Sequence, residues 1–391
     1  MEISDTAQTG QSRNVNTWIP EMKQHLIIFL LLVCFGLPSI AVAYKKRVFK
    51  MTLPLTVVLR SSRSKHFLCP ALGAVFFLLS VCGPSRQTER LQKDAMASFG
   101  IIPSPSAELQ NSPIVSLGKK LFSDTILSMD QKISCASCHS LTGAGVDHQR
   151  VSSGIKGQTG SRNAPTVYNA ALHTAQFWDG RAKDIQEQAG KPILNPIEMG
   201  MPDEDAVIKR LQKHPEYPEL FSKAFPQEKE SLTYKNMTRA IGDFEKTLIT
   251  SDRFDRFQKG DLSALNRREL KGLQLFMEIG CVSCHNGPLL GGNSFRRLGG
   301  VRPYDNMTDT GRFQVTGIQA DMFVFKVPSL RNAGVTGPYF HDGAVPSLEL
   351  AIETMGVLQF GRQLNRLQKA YLADFIRTMT DSRFEVQNNE K

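Results

Sequence analysis

Beyond residue 100, the apolar positions of the chain recur mainly at the three- and four-residue spacing of helices. Two such stripes, each predicted as the apolar face of one helix, comprise Met237, Ile241, Phe244 and Leu248, and Leu270, Leu273 and Phe276. No run alternates for long enough to predict a substantial sheet, whereas glycine and proline punctuate 284–304 and 328–346 and predict loops. The pattern therefore predicts a mostly α-helical protein whose stripes form its core.

Two predominantly apolar runs, 26–43 and 67–82, precede this helical part. Basic residues come before the second run, an order that is typical of a secretory signal peptide. An uncleaved membrane anchor would have the same pattern, and Met51 offers an alternative start. We therefore interpret residues 1–91 as a leader that directs the rest of the chain across a membrane.

The net charge of +10 is concentrated in that leader. Residues 1–91 hold 11 Lys and Arg against 4 Asp and Glu, or +7, and the remaining 300 residues hold 36 against 33, or +3. A nearly balanced body lacks the basic surface that binds nucleic acid, so no such partner is expected. Three of the seven cysteines also lie in the leader, which leaves no spare pair in the body for a disulfide framework.

The other four cysteines form two Cys-x-x-Cys-His motifs. The motif residues are Cys135, Cys138 and His139 in the first half, and Cys281, Cys284 and His285 in the second. This is the attachment pattern of a c-type haem: the thiols bond to the porphyrin and the adjacent histidine becomes the proximal iron ligand. A redox-active or zinc-binding thiol pair could precede a histidine by chance once. Two occurrences predict two covalently bound haems and a redox protein.

The body of the chain contains an internal repeat. A block beginning Asn163-Ala-Pro165 has a counterpart beginning Lys326-Val-Pro328, and each leads to an Asp-Gly pair. Pro165 and Asp179 are 14 residues apart, as are Pro328 and Asp342. We therefore predict two cytochrome c-like domains related by duplication, at 92–250 and 251–391, each around one haem.

Four segments of this body resemble the bacterial dihaem cytochrome c peroxidases and the related MauG-type enzymes. The segments are 161–166 (SRNAPT), 176–181 (QFWDGR), 197–199 (IEM) and 337–343 (GPYFHDG). By position, Glu198 matches the family's catalytic glutamate, Gln188 its distal glutamine and Trp178 the tryptophan between the haems. A carboxylate can take a proton from one peroxide oxygen and return it to the other. The resemblance therefore implies an N-terminal peroxidatic haem and a C-terminal electron-transfer haem.

The axial ligands show one agreement with the family and one departure from it. Many members cap the peroxidatic iron with a histidine 16 residues beyond the proximal one, where this chain has Ile155. His148 and His173 are poor substitutes by position, so we expect an open first haem, as in the MauG-type subset. On the second haem, Met355 occupies the place of the family's axial methionine, where MauG-type enzymes carry tyrosine. Other methionines that follow His285 are Met307, Met322 and Met379.

The resemblance also implies a calcium ion between the haems. Asn163 would supply a side-chain oxygen, and Thr336 and Pro338 would supply backbone carbonyls. So few protein oxygens, with no carboxylate, predict a weak site.

These inferences predict a periplasmic enzyme, either soluble or anchored to the outer face of the inner membrane. It would reduce hydrogen peroxide with electrons from a small cytochrome c or a cupredoxin, and a homodimer is the assembly that we consider for it. Two rival functions stay open. Ile155 favours an enzyme that oxidises a protein or organic substrate, and a protein ligand on the first iron would favour a plain electron carrier.

Overall fold

The computed structural model describes residues 86–385. The predicted signal peptide or anchor and the alternative start at Met51 lie outside this range. Within it, no helix combines the length and apolar character needed to cross a bilayer.

The described part of the chain is mostly α-helical, as predicted. Its helices are α1 (Arg86–Phe99), α2 (Ala107–Gln110), α3 (Pro113–Ser123), α4 (Cys135–Cys138), α5 (Ile185–Leu194), α6 (Glu204–Gln212), α7 (Tyr217–Ala224), α8 (Tyr234–Glu245), α9 (Arg253–Gln258), α10 (Arg267–Ile279), α11 (Phe313–Thr316), α12 (Leu348–Phe360), α13 (Arg366–Arg377) and α14 (Ser382–Glu385). Two short strands, β1 (Phe295–Arg297) and β2 (Val324–Lys326), pair antiparallel with Phe295 opposite Lys326. Long loops connect these elements and form much of the functional site.

Both predicted apolar stripes lie in core helices, except that Leu248 comes after the end of α8. The first belongs to α8, whose start is capped by the Thr233 side chain, and the second to α10, where Asn266 and Glu269 form a capping box. The side chains of Met237, Ile241 and Phe244 are buried, and so are those of Leu273 and Phe276.

Two helix pairs, α3 with α8 and α10 with α13, cross at glycines. A Cβ on Gly118 would lie 1.8 Å from the carbonyl oxygen of Ala240, and one on Gly272 would lie 1.9 Å from that of Tyr371. Only the absence of a side chain permits backbones to approach so closely. Each half of the chain thus has a glycine at the point where its two central helices cross.

Each terminal helix of the described chain packs in the hydrophobic core of the opposite half. Phe99 of α1 packs in the second core, with its ring 5.7 Å from that of Phe254 and 6.3 Å from that of Phe276. Conversely, Phe384 of α14 packs in the first core, 5.0 Å from the ring of Tyr168. The division at residue 250 stays a prediction, but the terminal helices contact the opposite half.

Two asparagines in left-handed conformation hold equivalent loops. Asn169 (φ 62°) donates its backbone N–H to the carbonyl of Leu248, and Asn332 (φ 61°) donates to that of Met379. Their side chains both reach the Thr250 hydroxyl, at 2.8 and 3.5 Å. Asparagine tolerates this backbone region because its short polar side chain forms local hydrogen bonds. The buried bonds at Thr250 join the loops of the two halves.

We expect Gly118→Ala to destabilise the protein by about 1–3 kcal/mol, because the added methyl group forces α3 away from α8. Ser116→Ala, at an exposed position of the same helix, is the control. Denaturant unfolding of the haem-loaded variants measures the difference. Equal unfolding midpoints for both variants would contradict the close-crossing account.

Candidate active site

A cavity in the first half brings together most of the residues that the sequence singled out. It contains about 1300 Å³ of space between its walls, including the part open to solvent. Its lining includes Cys135, Cys138, His139, Asn163, Trp178, Gln188 and Glu198. Residues separated by up to 63 positions therefore face one space.

The haem-attachment residues are oriented by local structure. The Cys135–Cys138 turn begins after Ser134, which forms a capping box with Ser137. The Nδ1 atom of His139 lies 3.3 Å from the carbonyl oxygen of Gly145, so its Nε2 atom is the nitrogen left to ligate. Removal from solvent lowers the pKa of His139 and keeps the ring neutral, as a metal ligand requires.

The side chains around both motifs fit a covalently held haem. Desolvation raises the pKa of Cys135 and that of Cys281 to about 12. Within 86–385, no cluster of three or more Cys, His, Asp or Glu side chains could hold a metal ion. Two thiols beside one imidazole fit a covalently held haem with one protein axial ligand on that side.

Glu198 lies in the tight turn that follows α5. Its Oε1 atom accepts a 2.7 Å hydrogen bond from the Asn195 amide, whose oxygen in turn accepts from the backbone N–H of Ile197. Removal from solvent raises the pKa of Glu198, and the charge of Arg181 and the Asn195 hydrogen bond offset part of that rise. Gln188, on α5, lines the same cavity. A carboxyl group with a raised pKa, held at a cavity wall, is equipped for proton transfer.

Ile155 packs behind the Glu198 turn. Its backbone N–H donates to the Glu198 carbonyl at 2.9 Å, and its side chain is buried against Gly200, where a Cβ would come within 2.2 Å of it. The cavity lining described above does not include Ile155 or His148. His148 instead bonds the carbonyl of Gly337 through Nδ1 at 3.1 Å. Neither residue therefore forms part of the described wall of this cavity.

Trp178 marks the junction with the second half. Its indole N–H donates to the carbonyl of Asn163 at 2.9 Å, and its own carbonyl accepts from the backbone N–H of Lys326 at 2.7 Å. The indole ring lies 6.5 Å from the imidazole of His341. The indole ring and the backbone of Trp178 are therefore each held by one hydrogen bond, to Asn163 and Lys326 respectively.

The residues predicted to hold calcium lie beside this junction. Asn163 donates its backbone N–H to the carbonyl of His341 at 2.7 Å, and its side-chain amide donates to the carbonyl of Gln149 at 2.9 Å. The side-chain oxygen of Asn163 is left as an acceptor. The His341 bond draws Asn163 to the loop that contains Thr336 and Pro338. Asn163 and this loop are therefore neighbours, and the calcium ion stays a prediction.

The second motif holds its histidine in the same way as the first, although its turn is 3-10 rather than α-helical. His285 lies at the end of the Cys281–Ser283 turn, and its Nδ1 atom is 3.0 Å from the Leu290 carbonyl oxygen. Removal from solvent lowers its pKa, as it does for His139. Met355 lies on α12 and is half-buried. In both motifs a backbone carbonyl thus accepts from Nδ1 and leaves Nε2 as the nitrogen available to a metal.

Sequence reasoning missed two ionisable residues of the first cavity, Lys326 and Glu245. Glu245 is buried at the end of α8, and burial raises its pKa to about 8. Its signal was available, because Glu245 lies four residues after Ile241 on the apolar face of α8. Lys326 occupies the position of Asn163 in the repeated block. The difference between the two repeats at this position was therefore the available signal for Lys326.

Comparisons with known proteins agree with this site. The family model described as di-haem cytochrome c peroxidase matches residues 112–263. The chain is 46% identical to the cytochrome c551 peroxidase of Nitrosomonas europaea over 286 residues, which cover 73% of this chain and 85% of the relative. It is 44% identical to that of Pseudomonas aeruginosa over 296 residues, with the same coverage.

A solved structure, a MauG-like protein associated with microbial copper homeostasis, matches with a TM-score of 0.63 and 27% identity, covering 73% of this chain and 96% of that one. The fold and the cavity thus define a helical haem-protein class. The chain belongs to the di-haem cytochrome c peroxidase family, which confirms the resemblance seen in the sequence.

We expect Asn195→Asp to move the acid limb of the pH profile of kcat/KM to higher pH. The variant keeps the oxygen that accepts from Ile197 but loses the donor to Glu198 and adds a like charge, so the pKa of Glu198 rises further. If catalysis needs ionised Glu198, activity is lost at a higher pH than in wild type as the pH falls. An acid limb that stays in place or moves down would contradict this role.

Proposed function

We propose that this protein reduces hydrogen peroxide to water in the periplasm, with electrons from a small c-type cytochrome or a cupredoxin. The observation that carries the proposal is one cavity in which Cys135, Cys138 and His139 face the same space as the Glu198 carboxyl group. The 46% identity to a cytochrome c551 peroxidase supports it. The leader pattern, with basic residues before an apolar run, supports export, either with cleavage or with retention as an anchor.

In this proposal the body is an internal duplication with one haem in each half. The paired glycines Gly118 and Gly272, and the paired left-handed Asn169 and Asn332, support a shared framework. The first haem would be held by the first motif, and the second by Cys281, Cys284, His285 and Met355. The second half would also include α1, which packs in the second core.

The proton chemistry falls to Glu198. Reduction of one peroxide molecule consumes two electrons and two protons and forms two water molecules. When bound, the haem iron supplies the electrons that break the O–O bond. Glu198 would take a proton from one peroxide oxygen and deliver it to the other, and Asn195 would hold the carboxyl group in position. The Gln188 amide would hydrogen-bond the bound peroxide.

The two halves would have different roles in electron transfer. A thioether ligand such as Met355 favours the ferrous state and raises the potential of its haem. That haem would accept electrons from the donor protein, and Trp178 would pass them toward the first. The proposed calcium ion, with Asn163, Thr336 and Pro338, would lie at the same junction and hold the relay in place.

A second candidate is an oxidase acting on a protein or organic substrate, as in MauG-type enzymes. The packing of Ile155 behind the Glu198 turn favours it, because the first haem would then be open in every oxidation state. Met355 favours the peroxidase, since the MauG-type pattern has tyrosine there. The peroxidase is therefore our conclusion.

We expect Glu198→Gln to lower kcat for peroxide by roughly 10²–10⁴-fold, because the amide keeps the shape of the carboxyl group but cannot transfer the proton. Steady-state turnover with a reduced cytochrome c donor measures this, and the absorption spectra of both haems should stay unchanged. Glu187→Gln on the exposed side of α5 is the control and should retain activity.

Near-normal turnover of Glu198→Gln would remove this residue from the mechanism. A wild-type protein that accepts electrons but does not reduce peroxide would instead be an electron carrier.

A further inference from the structure

A lysine from the second half forms part of the wall of the first cavity. Lys326 belongs to β2, and the residue is 6% exposed. Its Nζ atom lies 2.9 Å from the Nδ1 atom of His173 and 2.9 Å from the carbonyl oxygen of Ala175. An ammonium group has three donors, so these contacts leave one unused.

The position of this ammonium group is fixed by close packing. The backbone N–H of Lys326 donates to the Trp178 carbonyl at 2.7 Å. His173 packs over Gly292, where a Cβ would lie 2.4 Å from the imidazole ring, and Thr174 donates to the carbonyl of Gly292 at 2.9 Å. The imidazole is thus held behind Lys326 and presents Nδ1 to it.

The surroundings of Lys326 do not neutralise its charge. His173 cannot neutralise this charge. Desolvation and the nearby lysine lower the pKa of His173 well below its ordinary value, so the imidazole stays neutral. Asp179 attracts Lys326 at longer range, but its carboxylate forms ion pairs with Arg162 at 2.5 Å and Arg181 at 3.1 Å. Burial accordingly lowers the pKa of Lys326 to about 7. A buried cation without an anion is costly.

We propose that Lys326 binds a carboxylate of the group held in the first cavity, a haem propionate, so that the second half supplies the counter-ion of the first haem. This inference rests on the proposed haem binding at His139. The carboxylate would take the unused donor of Lys326 and form the buried ion pair that the chain itself lacks. His173 is a positioning residue for this lysine.

A positive charge at this place should favour the ferrous state of the first haem, because reduction removes one positive charge from the iron. We expect Lys326→Met to shift the ferric-to-ferrous equilibrium of that haem toward ferric by tenfold or more, which is 59 mV for a one-electron couple. Lys326→Arg should remain close to wild type. Lys183→Met is the control, because it removes the charge of a solvent-exposed lysine.

The experiment is a spectroelectrochemical titration of the haem-loaded protein, with the haem content per chain measured in parallel. A lower potential for the first haem alone in Lys326→Met supports the proposal. Loss of the first haem in Lys326→Met but not in Lys326→Arg also supports it, because it shows that the charge is required. Unchanged potentials with both haems bound, or equal haem loss in both variants, would overturn it.

These readouts need no peroxide, so they separate this inference from the proposed function. A protein without peroxidase activity whose Lys326→Met variant still titrates at a lower potential retains the counter-ion site. A wild-type chain that binds one haem, at His285, would defeat both proposals.

Discussion

Three hydrogen bonds between main-chain and indole groups determine how the first cavity meets the second half. Asn163 donates to His341, Trp178 donates to Asn163, and Lys326 donates to Trp178. Buried polar groups of this kind are costly to leave unpaired, so these segments are constrained to remain together. Trp178, the loop that contains Thr336 and Pro338, and Lys326 all take their positions from this junction.

The proposed duplication gives the two halves a common framework with different side chains at equivalent places. Gly118 and Gly272 allow the same helix crossing, and the imidazoles of both motifs are oriented by a carbonyl acceptor. At equivalent places Trp178 corresponds to His341 and Asn163 to Lys326. In the proposed function, these differences let one repeated backbone hold one haem for peroxide and another for electron entry.

The helices, the haem motifs and the cavity residues could be predicted from the sequence because their signals are local or matched by the family pattern. The stripe of Met237, Ile241 and Phe244 follows from helical spacing alone. The packing of the terminal helices in the opposite cores could not be predicted, since nothing near Phe99 indicates that it packs against Phe254. The reach of Lys326 into the other half's cavity is likewise a tertiary property.

In the proposed function, the first haem keeps an open face for peroxide and the second haem has two protein ligands. Electron paramagnetic resonance of the fully oxidised, haem-loaded protein tests it most directly, because the axial ligands determine the spin state of ferric haem. The account predicts one high-spin signal, from the haem at His139, and one low-spin signal, from the haem at His285 and Met355. Two low-spin signals without a high-spin component would contradict it.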